Sequence, residues 1–352
     1  MINNIRIHQV ALDVTYKCNF RCLHCFNCSG EQSLELEELS DEEVLSLCDD
    51  IISFAPTVVC ICGGEPLLRK DLVVKVVDKI TKGTNYRTQV NMVTNGYLLT
   101  GETAKALKTA GIGSVQVSLD GASPESHDWL RNKPGAFEKA IMALKLLNKA
   151  GVGTGVSCAP TQKNYKEIAD VAMICKKLGV EQFRMQPLML LGKAKKHLSE
   201  YMLSDCEYRR VCDVLMDIKY EYIDDGMTVE WGDPIQHLTD AMSDNFMNNI
   251  ILGINAYGYI TASPYLPIYT GDLRRHSIAE YIKHDYKNCV ASKLIRELSN
   301  MVKTPENMDV SLSDPRIPEN YVEKSFYLDW IDDNKTFHGS LDSFLNNKQN
   351  YA

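Results

Sequence analysis

The chain has 352 residues, with 38 basic against 46 acidic side chains, 45% hydrophobic and 24% charged residues. This length gives about two domains, or one barrel-sized domain with an extension, and the balance excludes a disordered chain. A net charge of -8 excludes a broadly basic nucleic-acid surface.

Met1-Ile2-Asn3-Asn4 runs into a strand-like Ile5-Arg6-Ile7 with no basic region and no long apolar one. No signal peptide is expected, and the chain is placed in the cytoplasm. Between residues 10 and 186, short β-rich runs alternate with amphipathic helical stretches. Strands are expected at 10–15, 58–62, 88–94, 114–119, 153–158 and 182–186. Ser40 with Glu43 three residues on forms a capping-box pattern that opens the first helix. A later helix carries Phe137, Ile141, Leu144 and Leu147 on one face and stops at Gly151, and the next carries Ile168, Val171, Ala172, Cys175 and Leu178. Six strands alternating with helices imply an α/β fold, a right-handed parallel sheet curled into a partial (β/α)6 barrel. Chemistry in such barrels sits just past the C-terminal ends of the strands.

Beyond Gly192 the rhythm changes. Ser204 with Glu207 caps a long helix whose stripe is Tyr208, Val211, Cys212, Leu215, Ile218 and Tyr222. Residues 245–271 carry no formal charge and are long enough to cross a bilayer. Asn248, Asn249, Gly253, Asn255, Gly258, Pro264 and Pro267 exclude an apolar spanning helix, so strands and turns are expected and no membrane. A polar, Asp/Asn-rich tail follows from Lys303. The expected division is a barrel over 1–195, a smaller α+β extension over 196–302 and a tail over 303–352.

Twelve cysteines in a reducing compartment point to metal or redox chemistry. After the first strand comes Cys18-Asn19-Phe20-Arg21-Cys22-Leu23-His24-Cys25, then Cys28. Three thiolates spaced by three and two residues can wrap one inorganic cube, and thiolates suit iron–sulfur clusters. Three protein ligands leave a fourth iron open to an exogenous group, which separates a catalytic cluster from an electron carrier. Zinc would need a second ligand pair that the chain does not supply. A ferredoxin run ends in Cys-Pro, whereas Cys28 precedes Ser29. A non-catalytic iron–sulfur or zinc module remains the remote alternative. Cys60 and Cys62 share one strand face and are read as packing residues. Cys175 and Cys212 lie on apolar stripes, as small core hydrophobes do.

The cysteine triad resembles that of the radical S-adenosylmethionine (radical SAM) superfamily, as does Gly63-Gly64-Glu65-Pro66 after the second strand. The resemblance extends through Thr94-Asn95-Gly96 and Ser118-Leu119-Asp120-Gly121. The stretch 120–137 and Phe183-Arg184-Met185-Gln186-Pro187-Leu188 to Gly192-Lys193-Ala194 are similar to the peptide-modifying subgroup with a C-terminal SPASM or twitch extension. The resemblance implies one 4Fe-4S cluster on Cys18, Cys22 and Cys25, and S-adenosylmethionine held through Gly63, Gly64 and Glu65. It further implies that His24 packs near the adenine and that Asn95, Ser118 and Asp120 lie at the cofactor. By position, Tyr16 beside the cluster loop, Tyr97 after the third strand and Arg184 on the sixth are candidate cofactor or substrate contacts. No residue is identified as the acid, base or hydrogen donor. The implied activity is a radical enzyme acting on a ribosomally made peptide, the alternative being a sugar, nucleoside or amino-acid derivative. A flavodoxin- or ferredoxin-like reductant is the implied partner. The chain departs from the subgroup in its extension: beyond Cys212 it has only Cys289, too few thiols for a full set of auxiliary clusters.

Overall fold

The computed structural model describes residues 6–31, 36–222, 226–240, 249–319 and 324–347. The start of the chain (1–5) and the first part of the uncharged stretch (245–248) lie outside the described residues. The expected strands form as β1 (Arg6–Asp13), β2 (Val58–Cys62), β3 (Gln89–Thr94), β4 (Ser114–Ser118), β5 (Gly153–Cys158) and β6 (Gln182–Met185). Helices α1 (Asp41–Phe54), α2 (Lys70–Gly83), α3 (Gly101–Ala110), α4 (Pro124–Arg131), α5 (Ala136–Ala150) and α6 (Ile168–Lys177) connect them. β1, β4 and β6 stop one or two residues short of expectation, because there the chain leaves the ladder for the loops that carry chemistry.

Helix starts follow the sequence chemistry. The Ser40 hydroxyl accepts from the Glu43 N–H, and Glu43 accepts from the Ser40 N–H at 2.8 Å. This satisfies two orphan donors of α1. Val44, Leu47, Cys48 and Ile51 then face the sheet. Along β2, Val59 and Ile61 are sealed against the helices, while Val58, Cys60 and Cys62 alternate onto the other face.

Two additions enlarge the six-stranded barrel. β7 (Thr228–Trp231) pairs parallel to β6. On the opposite edge, β8 (Asn249–Ile254) pairs parallel to β1, followed by β9 (Tyr259–Thr261), β10 (Ile268–Asp272) and β11 (Phe326–Tyr327). Among the described residues these make one sheet, ordered β11-β10-β9-β8-β1-β2-β3-β4-β5-β6-β7. The uncharged stretch thus forms strands where it is described, and no helix among the described residues is long and apolar enough to cross a membrane.

Three expectations need correction. Cys212 is exposed on the helix Asp205–Tyr222; the buried stripe runs Val211, Leu215, Ile218 and Tyr222, which turns Cys212 away. Cys60 and Cys62 are not core packing: both are partly exposed, and Cys62 lines a cavity inside the barrel. The polar tail is packed, with Trp330, Phe337, Phe344 and Leu345 buried.

Candidate active site

The cysteine loop leaves β1 and crosses the C-terminal ends of the strands. Two backbone contacts pin it to the end of β2: Gly64 N–H donates to the Thr15 carbonyl at 2.6 Å and Glu65 N–H to the Lys17 carbonyl at 2.9 Å. A methyl group on Gly63 (φ 132°) would meet the Thr15 oxygen at 2.3 Å, and one on Gly64 the Lys17 oxygen at 2.3 Å. Glycines stand there because backbone lies directly on backbone. The far side of the loop is held from β6: Lys193 N–H donates to the Cys25 carbonyl at 2.9 Å, and its ammonium meets Glu31 at 2.6 Å. A side chain at Gly192 would strike the Phe26 and Cys25 carbonyls. Gly192 and Lys193 are thus part of the site's scaffold, a role their place in a sequence motif did not reveal.

Glu65 is fully buried and ties β2 to β3. Its carboxylate accepts from Leu67 N–H at 3.0 Å, the Thr94 hydroxyl at 2.7 Å and Asn95 N–H at 2.9 Å. Burial raises its pKa, although these donors act against the shift. Asn95 in turn donates from its side chain to Asn19 inside the cysteine loop at 2.8 Å.

Asp120 holds a cation against the cysteines. Burial acts to raise its carboxyl, but Arg131, His24, His127 and the Ala159 N–H outweigh it and keep it below the usual range. Arg131 Nε donates to Asp120 at 2.6 Å, and Arg131 Nη1 lies 4.0 Å from the Cys22 sulfur. Sequence motifs include Arg131 but do not assign it this role, since 109 residues separate it from Cys22. His127 Nδ1 accepts from the Asp120 N–H at 3.0 Å, and burial lowers its pKa to about 4, so the ring stays neutral.

Burial pushes the Cys18 thiol up to about 11 and Cys25 up to about 12, and raises Cys22 against the opposing charge of Arg131. The three are free thiols that lose their protons to bind metal. Among the described residues, the one group of ligand atoms drawn together within 4.8 Å is His276, Asp329 and Asp332, away from this loop. The three thiols, the Arg131 charge and the buried, unpartnered Asn19 Nδ2 and His24 Nδ1 fit a thiolate-held iron–sulfur cluster with a further ligand beside it.

The remaining expected site residues distribute around this loop. His24 lines a cavity of about 290 Å³ with Asp120, Arg131, Ser157 and Arg184. Ser118 is buried at the last residue of β4, in register with Ser157. Arg184 also lines a second cavity, of about 290 Å³, with His237 and Tyr265. Tyr16 is buried with its ring 5.5 Å from Tyr257. Tyr97 packs edge-on against Phe20 at 5.4 Å.

Residues 12–175 match the Radical SAM superfamily. The chain is 30% identical over 212 residues to an AdoMet-dependent heme synthase of Methanosarcina barkeri, covering 60% of this chain and 58% of that one. It is 26% identical to the sporulation killing factor maturation protein SkfB of Bacillus subtilis, covering 79% and 67%. Streptococcus suis SuiB, solved with S-adenosylmethionine, shares the fold with a TM-score of 0.66 at 13% identity, covering 86% and 76%; SuiB has also been solved bound to the precursor peptide SuiA. The match spans little more than half the length of the heme synthases.

Proposed function

We propose, from the premise that residues 12–175 place this chain in the radical SAM superfamily, that it is an enzyme that abstracts hydrogen from a ribosomally made peptide. The observation that carries the reading is the clamped loop, in which three free thiols lie between the Gly63-Gly64-Glu65 turn and the Asp120–Arg131 pair. When bound there, one 4Fe-4S cluster and S-adenosylmethionine supply an electron and a 5′-deoxyadenosyl radical.

The protein's own part is positioning. Cys18, Cys22 and Cys25 hold the cluster, and the Arg131 cation offsets thiolate charge at Cys22. The N–H groups of Gly64 and Glu65 are engaged with Thr15 and Lys17. The turn therefore offers acceptor oxygens, which suit the ammonium end of the cofactor. Asn95 keeps the loop in place through Asn19, while Ser118, His24 and Arg184 present polar groups to the cofactor and substrate. Helices seal the outer face of the sheet, and the lumen shields a radical from solvent. An external flavodoxin- or ferredoxin-like protein in the cytoplasm supplies the electron. Beyond Cys212 the sequence has only Cys289, too few thiols for a full set of auxiliary clusters, which supports a single cluster.

Similarity to SkfB over most of the chain, and the SuiB fold seen with a precursor peptide, favour a peptide. The heme synthase similarity favours a second reading, a small-molecule substrate. Anaerobically reconstituted, dithionite-reduced protein should hold about four irons per chain and convert S-adenosylmethionine to 5′-deoxyadenosine. A fully loaded protein that makes none would refute the reading, and about eight irons would overturn the single cluster.

A further inference from the structure

Two thiols in the barrel have no part in the site described so far. Cys60 and Cys62 occupy the lumen face of β2, with their sulfurs 3.3 Å apart in a thiol hydrogen bond. Cys62 is the last residue of β2, directly before Gly63, and lines a cavity with Asp13, Tyr16 and Tyr269. In the parallel register Asp13 of β1 stands directly opposite Cys62. These groups are not drawn together as a metal site among the described residues.

The pair is chemically unequal. The sulfur contact lowers the Cys60 pKa, with the Arg184 charge adding to it, while the same contact and burial raise Cys62. Of the two, only Cys62 lines the cavity that holds Asp13. Burial pushes Asp13 up to about 7, so it exchanges a proton near neutrality.

We propose that Cys62, paired with Cys60, is the hydrogen-atom donor that quenches the substrate radical in the lumen, a role that rests on the function proposed above. The Cys62 S–H bond breaks homolytically as the substrate C–H bond forms, which leaves a thiyl radical on Cys62. Cys60 shares that radical across the sulfur contact as a three-electron bond, releasing its own proton. One electron from the flavodoxin- or ferredoxin-class reductant, with two protons, one of them passed by Asp13, restores both thiols. The substrate leaves at its original oxidation level, carrying a solvent-exchangeable hydrogen in place of the one removed. Such an outcome needs no auxiliary cluster to accept a substrate electron.

The test needs no identified substrate. Cluster-loaded protein is reduced with dithionite and given S-adenosylmethionine in D2O, where thiol hydrogens exchange and carbon-bound ones do not. The 5′-deoxyadenosine from the wild type should carry deuterium on its methyl group, and that from Cys62→Ser should be unlabelled. An unlabelled wild-type product, or a label that survives in Cys62→Ser, overturns the assignment. As a readout independent of turnover, diamide should join Cys60 to Cys62 within one proteolytic peptide of the cluster-free protein. Two separate thiols after that treatment overturn the pairing. No 5′-deoxyadenosine at all from the loaded wild type would refute the enzyme reading itself, and this proposal with it.

Discussion

The middle of the sheet and its extended flank are built by different means. Around the cysteine loop, stability comes from backbone lying on backbone and from two buried carboxylates: Glu65 accepts three donors, and Asp120 fixes Arg131. The extension and the tail rely on aromatic packing instead. Tyr259 stacks on Tyr269 at 5.1 Å, Tyr327 meets both at 4.8 and 4.9 Å, and Trp330 packs on Phe337 at 5.2 Å. The cysteine-loop region tolerates almost no change of shape, whereas the aromatic flank spreads its energy over many interchangeable contacts. The difference locates function: a strained, polar, glycine-dependent loop is where chemistry is held, and an aromatic layer is where a sheet is closed.

The sharpest way to break that contrast is at the ligands. Cys22→Ala should abolish 5′-deoxyadenosine formation and strip the cluster, read as lost iron and lost visible absorbance. Cys28→Ala, three residues past the last ligand, should keep both. A Cys28→Ala protein without cluster would mean that the ligand set has been misassigned.

Glycines test the shape argument next. Gly64→Ala drives a methyl group into the Lys17 oxygen and should cost about 2–3 kcal/mol, measured by chemical denaturation. Gly135 has φ 77° but nothing within 4 Å of an added methyl. Gly135→Ala should therefore cost only about 1 kcal/mol, the conformational penalty alone. Equal losses at the two positions would refute the backbone-on-backbone account.

Asp13 gives a pH signature of the lumen. Its folded pKa, raised to about 7 from 3.8, means the folded protein binds a proton more tightly than the unfolded chain. The stability this contributes is full below about pH 4 and declines as pH rises through about 7. Asp13→Asn should remove that decline and leave the variant the more stable protein at pH 8. Denaturation midpoints across pH 4–8 that run parallel in the two proteins would contradict it.

The smallest effect is expected where extension meets barrel at the surface. Arg274 reaches Glu43 of α1 at 2.8 Å and the Tyr257 carbonyl at 3.0 Å. Both charged partners are more than a third exposed, so Arg274→Ala should cost about 0.5 kcal/mol and leave cluster loading untouched.

Much of the barrel was legible because its signals are local. Helix caps such as Ser40 with Glu43 act over three residues, and the cysteine spacing needs only one loop. What escaped depends on contacts between distant segments. Period-two alternation shows that Cys60 and Cys62 share a face but not which face, since a parallel strand is apolar on both sides. Arg131 meets Cys22, and Lys193 meets Cys25, only once the strand ends converge. On the helix 205–222, Tyr208 and Cys212 are spaced as suitably for burial as Val211 and Leu215, and tertiary packing made the choice. In the tail, numerous Asp and Asn residues mask three widely spaced aromatic anchors, Trp330, Phe337 and Phe344.

The parallel pairing of β8 on β1 has one more consequence. It makes the strand that launches the cysteine loop an interior strand rather than a rim. Cut at residue 195, the chain would bare a row of unpaired amide and carbonyl groups along Arg6–Asp13, a template on which foreign strands can add. The extension thereby acts as a guard against self-association, and the barrel expressed alone is expected to gather into aggregates before its loop can receive a cluster.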